Sequence, residues 1–376
     1  MVHNVREYGA VGDGVADDTA AIQKALDLAS AGDGTGGEVL IPSGLYSISK
    51  TLTVNVTRGL IIRGEGALAL SGKAKSGTRL QWKGEEGGTL FHGTGNCGMV
   101  IRDLCFRGDK TGTLIQISRP PGSGDMINRM SNISLHAADT GIQMGEKESD
   151  HNCSDYYFDF ITFANVNTGF RVKNTQGVDY LFNFIFACNV KENVLEFENG
   201  GNLHVNNAQM TGCGRFLEIR GGGRNAGTFL CNGVRVESGC GGRRNRYQLL
   251  RCYSRHRLAI VQFNGFDDCQ WAWHQNETED RDKPLCEVGP GTRVVFNSSI
   301  FNSPVAHLEG TEKAPASMTL NSCSFSYVKP KDAISTNDFG YYKVSDCMQY
   351  IKPIPDIQKW PEFDQSDSSE AKPQTN

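Results

Sequence analysis

Several features are scarce in this chain of 376 residues. No stretch approaches the roughly 18 consecutive apolar residues that a membrane-spanning helix needs, so no membrane span is expected. The opening MVHNVREYGAVGDG has no apolar segment of the kind an export signal carries. Basic excess is missing too, with 38 Lys and Arg against 42 Asp and Glu. A slightly acidic chain lacks the field that supplies most non-specific nucleic-acid affinity, which argues against DNA or RNA as a partner. The twelve cysteines include no CxxC pair and no Cys/His group at zinc spacing. They stand singly among alternating apolar residues, as in FIFACNV around Cys188, and read as small buried hydrophobes rather than a disulfide framework.

Glycine, by contrast, is in surplus: 44 residues, about 12 % where average usage is about 7 %. Collagen would need it at every third position, so the surplus marks turns. One segment near the start reads as a helix, with Asp17, Asp18 and Thr19 as N-cap candidates and Ala20, Ala21, Ile22, Ala25, Leu26 and Ala29 on one face. Beyond residue 38 come short β-type runs separated by Gly, Asn and Asp.

These runs repeat. DYYFDFITF at 155–163 lies over DYLFNFIF at 179–186 with a constant offset, so that Tyr156, Phe158, Phe160 and Ile161 match Tyr180, Phe182, Phe184 and Ile185. Asn165 and Asn189 match in the turns that follow, and GIQM, GFRV, VLEF and FLEI align as a second column set. Repeats of 20–30 residues built from short strands are the signature of a β-solenoid, whose coils bury their apolar face only by stacking. About 300 residues at this period make roughly a dozen coils about 4.8 Å apart. Sandwich domains would need tight hairpin signals between matched strands, and those are scarce. The expected organisation is an N-terminal strand and capping helix over 1–35, a β-helix over 36–347, and a polar, partly disordered tail over 348–376.

NVREYGAVGDGVADDTAAIQKALD (4–27), GGEVLIPSGLYSISKTL (36–52) and LIIRGEG (60–66) resemble the opening of the pectate-lyase-like right-handed parallel β-helix superfamily, which includes tailspikes, glycanases, polysaccharide lyases and alginate epimerases. The resemblance implies an all-β, single-stranded right-handed parallel β-helix with a short capping helix. It also implies a polysaccharide partner and an extracellular or virion location. The opening is a capping device, and it transfers no catalytic residue. FRVKNTQG, with Arg171 and Lys173, resembles the carboxylate-holding Arg-x-Lys segment of polygalacturonase-type hydrolases, but that family's Asn-Thr-Asp, Asp-Asp and Gly-His-Gly segments are not found in order before it. Coil alignment gives Arg171 a structural role instead, stacked on Glu196 and Glu218, while Lys173 meets Glu198 and Arg220.

Hydrolysis requires two carboxylates, whereas elimination requires a base and a cation or metal beside the sugar carboxylate. If Phe158 and Phe160 point inward, Asp155, Tyr157 and Asp159 point outward beside Asp179, Leu181 and Asn183. Asp155, Asp159 and Asp179 are therefore the expected catalytic set, with His151 and Tyr157 in substrate contact. The segments 241–263 and 265–283 add Arg251, Arg255, His256, Trp271 and Trp273 as polysaccharide contacts, and Asp267, Asp268, His274 and Glu277 as a reserve acid–base set. No cofactor is expected, apart from a Ca2+ ion if the chemistry is elimination. The activity expected is hydrolysis or elimination in a groove along the solenoid. A non-catalytic adhesion rod or spike, which would form a homotrimer, is the alternative. A uronate epimerase is weaker, since the DPHE-type segment is absent.

Overall fold

The computed structural model describes residues 1–31, 36–67, 77–119, 124–150, 153–220, 227–237, 248–253, 259–269, 284–325 and 333–349. All strand-to-strand pairings among them are parallel and join each strand to its equivalents one coil before and one coil after, which makes a parallel β-helix. The coil has three faces. On the first, Ile61, Val100, Arg129, Tyr157, Leu181, His204, Leu230, Gln262, Val295, Thr319 and Lys343 stand in one outward column. On the third, the equivalent column runs His92, Gln116, Gln143, Arg171, Glu196, Glu218, Arg251, Glu287 and His307. The second face continues the first around a corner, with Phe163, Ala187 and Met210 stacked inward.

The core follows from strand alternation. Met130, Phe158, Phe182, Val205, Cys231, Phe263, Phe296 and Leu320 form one inward column and are buried. The Phe158 and Phe182 rings stack with centroids 4.3 Å apart and planes 10° apart, and Phe263 and Phe296 repeat this at 4.9 Å and 12°. Truncating one such ring to Ala leaves a cavity that costs about 3–5 kcal/mol. Seven of the cysteines, including Cys153, Cys231 and Cys286, are buried within this core, and no disulfide occurs among the described residues.

Corners are made by residues in the left-handed region. One corner column runs through Gly59 (φ 68°), Gly98 (70°), Ile127 (58°), Asp155 (58°), Asp179 (62°) and Asn202 (57°). Another contains Asn165 and Asn189, both at 54°, with the Asn189 amide donating to Asn165 Oδ1 at 3.3 Å. Asn and Asp tolerate this conformation better than other side-chain-bearing residues. A third ladder, Asn232, Asn264, Asn297 and Asn321, is joined by amide hydrogen bonds of 2.8, 2.8 and 2.9 Å.

The capping helix spans Thr19–Ser30 and buries Thr19, Ile22, Ala25, Leu26 and Ala29. Ala20, expected on that face, is exposed. Asp18 does not cap the helix with its side chain. Its carboxylate accepts instead from the amides of Val11 (2.6 Å), Gly12 (3.3 Å) and Ser47 (3.3 Å), tying the opening loop to the first coil. At Gly12 (φ 70°) a Cβ would come within 2.8 Å of the Tyr46 ring, so both the conformation and the space require glycine. The helix covers the open edge of the third face at Leu52–Asn55. Gln23 Nε2 donates to the Thr53 carbonyl and Gln23 Oε1 accepts from the Thr53 amide, both at 2.9 Å. A side-chain amide thus repeats the two hydrogen bonds that a preceding strand would make.

Candidate functional site

The third face carries the densest charge. Arg171 lies between Gln143 and Glu196 in register, and Glu196 lies next to Glu218. Arg171 Nε is 3.4 Å from Glu196 and 3.8 Å from Glu198, and Arg220 reaches Glu196 and Glu218, both at 3.2 Å. Arg215 holds Glu218 at 2.7 Å, and Arg251 holds Glu287 at 3.2 Å. The stacking expected of Arg171 is present, and Glu196 is more deeply placed than an exposed ladder would be, with a fully buried side chain. Its Oε2 accepts from Asn193 Nδ2 at 2.9 Å. Lys173 makes no ion pair among the described residues. Arg251, expected as a sugar contact, belongs to this ladder and sits over the Tyr253 ring at 5.4 Å.

The first face carries a different constellation. Arg129, Tyr157, Leu181 and His204 follow one another on four adjacent coils, and Asp159 stands two residues beyond Tyr157. At about 4.8 Å per strand the column spans roughly 14 Å. Arg129, Tyr157, Asp159 and His204 are exposed, and none is engaged by another side chain among the described residues. On the flank, Asn206 Nδ2 donates to Asn183 Oδ1 at 2.9 Å.

Asp155 and Asp179 lie one coil apart at the corner bordering this strip, both with positive φ. Asp155 accepts from Ser154 Oγ at 2.8 Å, and Asp179 accepts from Asn202 Nδ2 at 3.1 Å. Their identity therefore has a backbone reason in addition to any chemical one. Phe160 differs from the expectation: it is 48 % exposed, with φ 54°. Asp159 and Phe160 are both exposed before the buried Ile161, and the left-handed turn at Phe160 is where the alternation shifts by one residue. His151, Arg255, His256, Trp271 and Trp273 lie outside the described residues, as do His274 and Glu277. Of the reserve acids, Asp267 pairs with Arg235 at 3.8 Å. Asp268 is buried and accepts from the Asn302 amide at 3.1 Å.

Arg129 and His204 were not singled out from the sequence. The offset of 24 that matches Tyr157 with Leu181 does not reach them, because the neighbouring coils differ in length: Arg129 lies 28 residues before Tyr157 and His204 lies 23 after Leu181. Calcium would need six to eight oxygen ligands. Among the described residues no three His, Cys, Asp or Glu side chains converge as a metal centre.

Beneath the strip lies a buried polar cluster. Asp125 is inaccessible to solvent, and its carboxylate accepts from the Asn96 amide (2.8 Å), from Asn128 Nδ2 (2.7 Å) and from the Tyr156 hydroxyl. Burial pushes its pKa up to about 7, against the lowering effect of the Tyr156 hydroxyl and the other donors. In the next coil the Tyr180 hydroxyl donates to the Cys153 carbonyl.

Residues 2–82 match the family described as rhamnogalacturonase A/epimerase, pectate lyase-like. The chain is 34 % identical over 124 residues to the mannuronan C5-epimerase AlgE6 of Azotobacter vinelandii, a match covering 31 % of this chain and 14 % of that protein. It is 51 % identical over 47 residues to the plasmin and fibronectin-binding protein A of Streptococcus pneumoniae, covering 12 % of this chain and 6 % of that one. The chain thus spans only a small fraction of the length of these curated relatives. In three dimensions it resembles the catalytic unit of a GH87 α-1,3-glucanase from Streptomyces thermodiastaticus, with a TM-score of 0.58, 14 % identity and coverage of 95 % of this chain and 70 % of that one. The family match is confined to the N-terminal residues 2–82, and the likeness along nearly the whole length is one of fold, a parallel β-helix as the opening motif implied.

Proposed function

We propose that the protein binds a polysaccharide along its first face and cleaves or remodels it there, outside the cell or on a virion. Tyr157 serves as a sugar platform, Asp159 and His204 as proton carriers, and Arg129 meets an anionic substituent. One observation supports this above the others: these four side chains share a strip of adjacent coils, exposed and unengaged. An unpaired guanidinium one coil from the Asp159 carboxylate suits proton abstraction next to a sugar carboxylate, where the cation stabilises the developing charge, while His204 stands further along the same column. This favours elimination or epimerisation of a uronate. Retaining hydrolysis is the second reading, because Asp155 and Asp179 lie at about one strand spacing, close to the 5 Å that a nucleophile and an acid require.

The carbohydrate-active names among the relatives and the similar folds support the substrate class. The adhesin match supports the rival, a rod that only binds. Incubation with alginate, polygalacturonate and a neutral glucan separates these readings. Ultraviolet absorbance of unsaturated ends reports elimination, new reducing ends without it report hydrolysis, and exchange of the C5 proton in heavy water reports epimerisation. Binding with none of the three signals leaves the adhesion rod, and absence of binding to all three polymers sinks the proposal.

A further inference from the structure

The corner that closes the first face contains an aromatic residue in an unexpected place. Phe160 is the one aromatic side chain among the described residues with a left-handed backbone, at φ 54°. In the two preceding coils the same corner is occupied by Asp103 (φ 60°) and Asn132 (φ 51°), residue types that tolerate the conformation, and Asn132 Nδ2 donates to Asp103 Oδ1 at 2.8 Å. The left-handed turn is what the fold needs here, and an Asn would supply it with less strain. A phenyl ring adds nothing to the turn, and it stays 48 % exposed while Phe158, Ile161 and Phe163 around it are buried. Its orientation is set by Phe184 one coil on, with centroids 5.2 Å apart and planes 11° apart.

Two independent penalties, strain and exposure, thus meet at one residue on the border of the proposed strip. Such residues persist where the strained group has a task. The surroundings say what kind. Asp159 and Asn183 are exposed beside the two rings, and Asn206 fixes the Asn183 amide. A two-ring surface ringed by hydroxyl-matching acceptors and donors is small and polar for a protein partner or a lipid surface, and it matches the alternating apolar C–H face and hydroxyl rim of a pyranose.

We infer that the Phe160 ring, held outward by its left-handed backbone and backed by Phe184, is a sugar-stacking platform at the edge of the first face. The inference rests on the reading that a polysaccharide lies along this face, and it adds a specificity-determining contact to it. The platform contributes to binding and takes no part in proton transfer.

Affinity electrophoresis in gels containing alginate, polygalacturonate or dextran, paired with thermal unfolding, tests it. Phe160→Asn is expected to unfold at the same temperature as the unmodified protein or higher, and to lose about tenfold in affinity for whichever polymer retards the parent chain. Phe160→Trp keeps the retardation, and Phe184→Ala weakens it by leaving the first ring unsupported. Unchanged retardation of Phe160→Asn overturns the inference. So does a loss of retardation that comes with a lower unfolding temperature, since the ring would then be structural. If Tyr157→Ala and Asp159→Asn bind as the parent does while Phe160→Asn does not, the platform stands and the broader reading of the strip falls. If no polymer retards the parent chain, both fall.

Discussion

The third and first faces use the same residue types to opposite ends. On the third, Arg171, Arg215, Arg220 and Arg251 each have a carboxylate within 3.4 Å, and Glu196 is sealed beneath them. On the first, Arg129, Asp159 and His204 have no such partner among the described residues. A buried charge must be matched in place, so the third-face ladder is part of what holds successive coils in register. Exposed, unmatched charges contribute little to the fold, which leaves them available to a ligand. Charge density alone points to the third face, and the state of pairing points to the first as the candidate for function.

The comparison can be broken in order of expected effect. Asp159→Asn should lower the rate of whatever reaction the polymer panel detects by a hundredfold or more, with the unfolding midpoint unchanged. A retained rate would move the chemistry off this strip. Arg171→Ala should cost about 3 kcal/mol of stability in denaturant titration by leaving Glu196 short of a partner, without altering polymer binding. If Arg171→Ala instead costs nothing, the two faces do not differ as described.

Arg129→Ala is the mirror experiment. It should change stability by less than about 0.5 kcal/mol while weakening binding to a polyuronate severalfold, an effect that shrinks at high salt.

A smaller effect concerns the layer between the faces. Asp125 has a folded-state pKa of about 7, above its ordinary value of 3.8. Its contribution to stability is therefore complete below the unfolded value and disappears as pH rises through about 7. Between pH 6 and 8 the protein should lose about 1 kcal/mol, and Asp125→Asn should flatten that slope. Melting curves at the two pH values check it. Asn264→Ala, which breaks two rungs of a half-buried amide ladder, should cost about 1 kcal/mol in the same melting curves.

Much of this architecture was legible in the sequence, because a solenoid writes its register into its repeat. The offset between DYYFDF and DYLFNF places Tyr156 on Tyr180 and Phe158 on Phe182, as the strand pairing has it. The same reasoning put Arg171 on Glu196. What alternation could not show was where it stops. A single left-handed residue reverses the side on which the next side chain emerges, and Phe160 is of a type for which nothing in the sequence announces that conformation. The corner Asp residues were visible as a matched pair, but their backbone role was not, since Asp serves turns and chemistry alike. His204 was missed because its coil carries no aromatic match to draw attention to it.

Gln23 has a consequence for assembly. By occupying both hydrogen-bonding groups of Thr53, its amide turns the first strand of the third face into an interior one. In growth terms the helix is a terminator: the sheet offers no template at that edge, so neither a second molecule nor a stray extended segment can continue it by strand addition. Strand addition at this end is opposed by the packed helix and the Gln23 amide together, and Gln23→Ala would free both hydrogen-bonding groups of Thr53.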